Sequence, residues 1–336
     1  MGRIKLKSTQ KTKQLYSRKI WNKLTREISA IENKNRKSKI CTICSSKKID
    51  FYIKKNGFNI YKCSNCGLLF SNPYPSIKQL EYYYNSEMKE QENRDFRSSF
   101  ERRIKIFLPR VKLIKKYLSH GKLLDIGPAI GVFIEALNRS KHNYSISCCD
   151  INIEACNELK KKYKKVEVYN KDYAKINKKF DIITMWDTIE HIPNLNQLFK
   201  KVRNLLKKNG LFFFSTPNTK SFEWIVAGKK HGQIVPPAHV NLMNIKNIKI
   251  LFKKKKFKLV DVLTLNPSLD IDTVLSLIKI NIISKSNLNN FFKIYFEKKR
   301  GNYISKLKNK IYRDSLENFL IKEKLAGNAL IIGKKI

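Results

Sequence analysis

The chain has 336 residues and a formal net charge of +43, from 70 Lys and Arg against 27 Asp and Glu. That length buries a full core and leaves room for a small second unit. No run of about 18 apolar residues occurs, which excludes a bilayer-spanning helix, and no apolar stretch precedes a small-residue cleavage site, so no secretory leader is expected.

The charge favours nucleic acid, anionic membrane or phosphorylated partners. Yet 57 of the 70 cations are Lys and 13 are Arg, whereas groups that read phosphates and bases bidentately are mostly Arg. The surplus therefore reads mainly as AT-rich codon usage, and nucleic acid ranks behind a small-molecule or glycan acceptor as partner. Seven Cys, four of them in two C-x-x-C pairs, point to metal in a reducing compartment, so the expected location is cytoplasmic.

Residues 1–39 form a basic segment in which Leu15, Trp21, Leu24, Ile28 and Ile31 recur at helical spacing. Such a helix either lies on a membrane as a peripheral contact or docks on the neighbouring domain, and docking is favoured. In residues 40–75, Cys41 and Cys44 are followed after eighteen residues by Cys63 and Cys66, the spacing of a zinc ribbon. Two knuckles supply four thiolates to one tetrahedral ion with no open position, so this zinc is structural. Between them, two aromatic-rich runs flank Asn56-Gly57, the signature of a hairpin.

Residues 76–120 read as a helical linker. Tyr82, Tyr83 and Tyr84 suit core or inter-domain packing better than base stacking, and a helix over 102–118 is expected to be interrupted at Pro109. From 121 the chain alternates strand and helix, with strands expected at 122–126, 144–149, 166–169, 180–186, 211–215, 257–264 and 328–333. A helix over 195–208 is expected to stop at Asn209-Gly210. The pattern is α/β with a largely parallel, Rossmann-like sheet. It assigns 121–265 with 327–336 to one domain and leaves 266–326 as a helical insertion, too long for an ordinary connection.

In such a sheet the ligand lies beyond the carboxyl ends of the strands, where strand order reverses. The first strand ends at Asp125 and a turn containing Gly127, Ala129 and Gly131. The second ends at Asp150, about 20 residues on, where a carboxylate accepts both hydroxyls of a ribose. Asp172 follows the third, and Trp186-Asp187 end the fourth. A dinucleotide fingerprint needs G-x-G-x-x-G, which is absent here, and an acid in the turn repels a pyrophosphate. S-adenosylmethionine carries a sulfonium and an ammonium instead, and suits that carboxylate.

The ordered text Cys63-x-x-Cys66-Gly67, Leu124-Asp125-Ile126-Gly127-x-x-x-Gly131, Asp187-x-x-Glu190-His191-Ile192-Pro193-Asn194, Ser215-Thr216-Pro217-Asn218 and Pro237-Ala238-His239-Val240 resembles class I S-adenosylmethionine-dependent methyltransferases with an N-terminal zinc ribbon. That group is similar to the ubiquinone-biosynthesis methyltransferases and is frequent in bacterial surface-glycan gene sets. The resemblance implies a seven-stranded sheet with its last strand antiparallel. It also implies that Gly127 and Gly131 admit the donor, Asp150 holds its ribose, Asp172 lies near the adenine amino group, and Trp186 and Asp187 flank it. The family has glycine where Ala129 stands, and alanine there is tolerable if its φ is negative.

Methyl transfer to a hydroxyl needs alignment and a base near neutral pKa. His239 is the first candidate and His191 the second, with His231 and Trp224 as substrate contacts. The leading reading is methylation of a small or lipid-linked acceptor such as a sugar or surface-glycan intermediate. An RNA methyltransferase and a catalytically inactive binding protein on the same scaffold are the alternatives. Oligomeric state is open.

Overall fold

The computed structural model describes residues 19–296 and 302–336. Helix α1 covers 19–30 and buries Ile20, Leu24 and Ile28, the last two against Phe58, Tyr83 and Ala238, so the apolar stripe docks on the rest of the chain. Leu15, the first member of that stripe in the sequence, lies outside the described residues.

The hairpin forms as expected. Strands β1 (Ile49–Lys55) and β2 (Phe58–Cys63) pair antiparallel across Asn56 and Gly57, whose φ values of 48° and 81° suit a two-residue turn of primed type. Strand β3 (Leu69–Ser71) extends this sheet. Helices α2 (Ile77–Tyr84), α3 (Glu87–Ser98) and α4 (Phe100–Tyr117) follow. Tyr83 is 1 % exposed and stacks on Trp21, so it packs rather than waits for a base. Pro109 does not interrupt α4. The carbonyl it deprives of a partner belongs to exposed Lys105, on the solvent side of the helix, while burial of Ile104, Val111 and Ile114 holds the helix in place.

The main sheet comprises β4 (His120–Ile126), β5 (Asn143–Asp150), β6 (Glu167–Asn170), β7 (Phe180–Trp186), β8 (Leu206–Pro217), β10 (Phe257–Leu265) and β11 (Asn328–Lys335), in the order β10-β11-β8-β7-β4-β5-β6. The strands β6-β5-β4-β7-β8 run parallel and β11 runs antiparallel between β8 and β10. Order therefore reverses beside β4. Helices α5 (Val132–Arg139), α6 (Ile153–Lys162), α7 (Leu195–Leu205), α8 (Phe222–Ala227) and α9 (Ile245–Lys254) connect these strands. The helix expected to reach residue 208 stops at Leu205. Leu206 is buried beside its strand partner Phe180, and 207–210 bulge out of β8 before the ladder resumes at Ile182 and Leu211, so tertiary pairing overrides the helical pattern.

A two-residue strand, β9 (Asn241–Leu242), lies between α8 and α9 in the chain and pairs with β3, giving the ribbon sheet the order β1-β2-β3-β9. Between β10 and β11 come α10 (Pro267–Lys279), α11 (Lys285–Phe296), α12 (Tyr303–Lys306) and α13 (Lys310–Lys322), which share a core with Phe222 and Val226 of α8. Buried Asp270 ties α10 to the root of β11 by accepting the Gly327 N–H at 2.5 Å. Among the described residues no helix is long and apolar enough to cross a membrane.

Candidate active site

The turn after β4 is built on three left-handed residues, Gly127 at φ 75°, Ala129 at 48° and Gly131 at 78°. A side chain at Gly127 would collide with Thr188 and one at Gly131 with Leu159, so glycine is required at both. The condition set for alanine at 129 is not met, because its φ is positive. An L-residue there is strained by about 1 kcal/mol. Ala129→Gly is therefore expected to stabilise the fold by about 0–0.6 kcal/mol in chemical denaturation, after the extra unfolded-state freedom of glycine, about 0.4–1 kcal/mol, is subtracted. A loss of about 0.4–1 kcal/mol, the entropic cost of glycine alone, would mean the turn bears no strain at this residue.

The turn and the next strand end meet directly. The Ala129 N–H approaches Asp150 Oδ2 at 3.4 Å, Asp150 Oδ1 accepts the Asn152 N–H at 2.9 Å, and Gly127 N–H donates to Cys149 O at 3.0 Å. Asp125 is 1 % exposed. One of its oxygens accepts Thr184 Oγ1–H at 2.7 Å and the other is buried without a partner. Burial, partly offset by the Thr184 bond, pushes its carboxyl up to about 7. Burial likewise raises Asp150. Asp172 caps a single 3-10 turn by accepting Ala174 N–H at 2.7 Å. Asp125, Asp150 and Asp172 all help to raise the Cys149 thiol, after burial as the main cause. The three acids stand at or just past the carboxyl ends of the adjacent strands β4, β5 and β6.

On the other side of β4, Trp186 is buried against Phe107 and Phe133, with its indole N–H unpartnered. Asp187 sits at φ 48°. It accepts from Ser215 Oγ at 2.8 Å and Asn328 Nδ2 at 2.7 Å, and Arg110 lies 3.6 Å from its second oxygen. The chain itself occupies both oxygens of this carboxylate.

The two candidate bases come together. His191, at the end of a 3-10 turn over Ile189–His191, meets His239 edge to face with ring centroids 4.8 Å apart. The Gln233 carbonyl, 2.8 Å from His239 Nδ1, can only accept, so Nδ1 carries the hydrogen and the neutral ring keeps its Nε2 lone pair free. Burial is the main cause that lowers the pKa of both histidines, and Lys89 of α3 adds to it.

Glu190, given no role by the sequence reading, joins them, and its ligand atom and those of the two histidines lie within 4.8 Å of one another. It is 1 % exposed, and burial with the nearby Asp187 charge raises its pKa well above the usual carboxylate range. Its place immediately before His191 was the available signal. Trp224 and His231 do not serve as substrate contacts. They are 6 % and 3 % exposed and stack at 4.0 Å, and His231 Nε2 lies 3.3 Å from Glu223, which makes them core.

The four ribbon cysteines converge as the spacing required. Their sulfur atoms lie within 4.8 Å of one another, with Cys41 and Cys66 at 3.6 Å and Cys44 and Cys63 at 3.5 Å. Zinc–sulfur bonds of about 2.3 Å give a tetrahedral edge of about 3.8 Å, so the cage fits such an ion. α7 and α9 grip both knuckles: Asn196 donates to Thr42 O, and Asn244 and Asn247 donate to Cys66 O.

The methyltransferase-domain family matches residues 94–262, half of the chain. The chain belongs to that family. The matched methyltransferase segment carries the acids around β4 to β6, the 3-10 turn of His191 and the loop of His239. Similar curated proteins include the ubiquinone biosynthesis O-methyltransferases of Pelagibacter ubique, 33 % identical over 131 residues (36 % of this chain, 53 % of that protein), and of Histophilus somni, 30 % identical over 129 residues (34 % and 53 %). The chain spans about half the length of these relatives. Among solved structures, an S-adenosylmethionine-dependent methyltransferase from Archaeoglobus fulgidus aligns with a TM-score of 0.43 at 16 % identity, over 69 % of this chain and 94 % of that one. A cyclopropane synthase from Mycobacterium tuberculosis aligns with a TM-score of 0.44 at 13 % identity, over 68 % and 83 %.

Proposed function

We propose that this protein moves a methyl group from S-adenosylmethionine to a hydroxyl of a small or lipid-linked acceptor, in our reading a sugar or surface-glycan intermediate. The observation that carries this is the pairing of His239, with its free Nε2, and His191 beside the strand ends that bear the acids. The names of the relatives support an oxygen acceptor. S-adenosylmethionine, when bound, supplies a methyl already activated on a sulfonium. The chain's own work is to hold the donor, align the acceptor and take one proton. Asp150 would accept the ribose hydroxyls, the turn at Gly127 and Gly131 would admit the donor's backbone contacts, and His239 Nε2 would take the acceptor's proton. Zinc in the four-cysteine cage and a reducing, cytoplasmic location complete the reading. The positive φ of Ala129 favours one alternative, a scaffold that has lost donor affinity.

Calorimetry with S-adenosylmethionine tests the donor site. Asp150→Ala is expected to weaken binding by about 1.5–3 kcal/mol, or about 10- to 150-fold, the value of hydrogen bonds to a charged group. No heat from the unaltered chain at millimolar donor would establish the inactive scaffold. Transfer of labelled methyl to nucleotide sugars and to total RNA then ranks the acceptors, and label in RNA alone would sink the glycan reading.

A further inference from the structure

Away from the acids and histidines, two adjoining hollows of about 680 and 530 Å³ open on the flank of the domain and share Arg203 and Lys256. Seven cations line them, from Lys200 and Arg203 on α7, through Lys249, to the run 253–256 at the end of α9, and no acidic side chain does, although the main-chain oxygen of the last residue, Ile336, accepts from Arg203 Nη2 at 2.5 Å at one edge. Among the described residues none of these seven pairs with an Asp or Glu, though Lys254 donates to Ile43 O and Ser45 Oγ, whereas Lys207, Lys178 and Lys162 elsewhere each find a carboxylate. Codon bias spreads lysine over a surface; it does not strip the acids from one groove. The Nε of Arg203 is buried there without a partner. Lys256 holds φ 55°, a conformation asparagine or glycine takes more easily. The floor contains buried Phe252 and Phe257, and low-dielectric walls strengthen the field of the cations above them.

We propose that this groove holds the phosphodiester backbone of a single-stranded RNA, as a tether separate from the methyl-transfer site. Two joined, shallow hollows make an extended cationic track that a flexible polyanion can follow. A second copy of this chain, at +43, is repelled. No exposed aromatic ring lies in the lining, so bases are not stacked and sequence is not read. Lysine point charges suit a flexible backbone without base readout.

Fluorescence anisotropy with a labelled oligouridylate tests this on the full chain. With about four phosphates held, the logarithm of affinity should fall with log salt at a slope of about −3, or about 50-fold between about 50 and 200 mM. The exposed triple variant Lys200→Glu, Lys249→Glu, Lys253→Glu should lose about tenfold or more and flatten that slope. A control of matched chemistry on α6, Lys160→Glu with Lys161→Glu, should lose little. Equal loss in the control would reduce the effect to bulk charge and overturn the proposal. So would tighter binding of poly-glutamate, or binding to phosphatidylglycerol vesicles without binding to the oligonucleotide. Donor calorimetry should be unchanged in the triple variant, which separates this outcome from failure of the methyltransferase reading.

Discussion

His239→Ala is expected to lower kcat by about 10²- to 10⁴-fold, the usual contribution of a positioned general base, with donor affinity and thermal midpoint nearly unchanged. The ring qualifies on geometry before chemistry. Gln233 O fixes the tautomer, and His191 abuts it edge to face. Burial lowers its pKa against the opposing pull of the Gln233 carbonyl and the Glu92 and Asp187 charges. A lowered pKa keeps the base neutral at physiological pH, and activity disappears only as pH falls through that value. The acid limb of kcat should therefore lie below the ordinary histidine pKa of about 6.5, and His239→Ala should abolish it. An unaltered rate, or an acid limb that persists in the variant, would remove His239 as base and turn attention to His191 or Glu190.

What could be read from the residues alone was what depends on neighbours in sequence. The Asn56-Gly57 turn, the knuckle spacing and the β-α alternation are local chemistry, and the strands appear where their apolar runs stand. What escaped depends on contacts made at a distance. The end of α7 is set by Leu206 pairing beside Phe180. Nothing in the chain near Trp224 reveals that His231 will fold back to cover it. β9 is two residues long, with no pattern of its own, and exists because β3 offers an edge. Glu190 stands in the sequence as one more carboxylate of a motif, a group that usually faces water, and only the packed structure shows it sealed beside two imidazoles.

That short strand decides the second large effect. On the proposal that the four-cysteine cage holds zinc, Cys63→Ser with Cys66→Ser is expected to abolish zinc binding, lower the thermal midpoint and abolish methyl transfer together, although neither residue belongs to the site. The apparent free energy of binding at such cages is about 10–16 kcal/mol in small zinc-dependent units, and it is folding energy. With zinc in this cage, that energy would pass on to the loop of His239. Ser71 N–H donates to Val240 O, the residue after His239, and Val240 N–H donates to Glu190 O. Leu69 and Phe70 pair with Leu242 and Asn241, and Asn241 in turn bonds Tyr74 and the Ile192 carbonyl. The Asn56 side chain at the hairpin tip donates to Pro236 O. Both histidines are thus anchored on the ribbon sheet, and once the knuckles loosen nothing in that ladder fixes their mutual geometry. Metal analysis, thermal unfolding and a donor titration on the same sample separate the steps. Zinc should be lost and turnover should fall, while the donor, held around β4 to β6, should still bind. Full turnover in a zinc-free sample would show the ribbon to be a passive appendage.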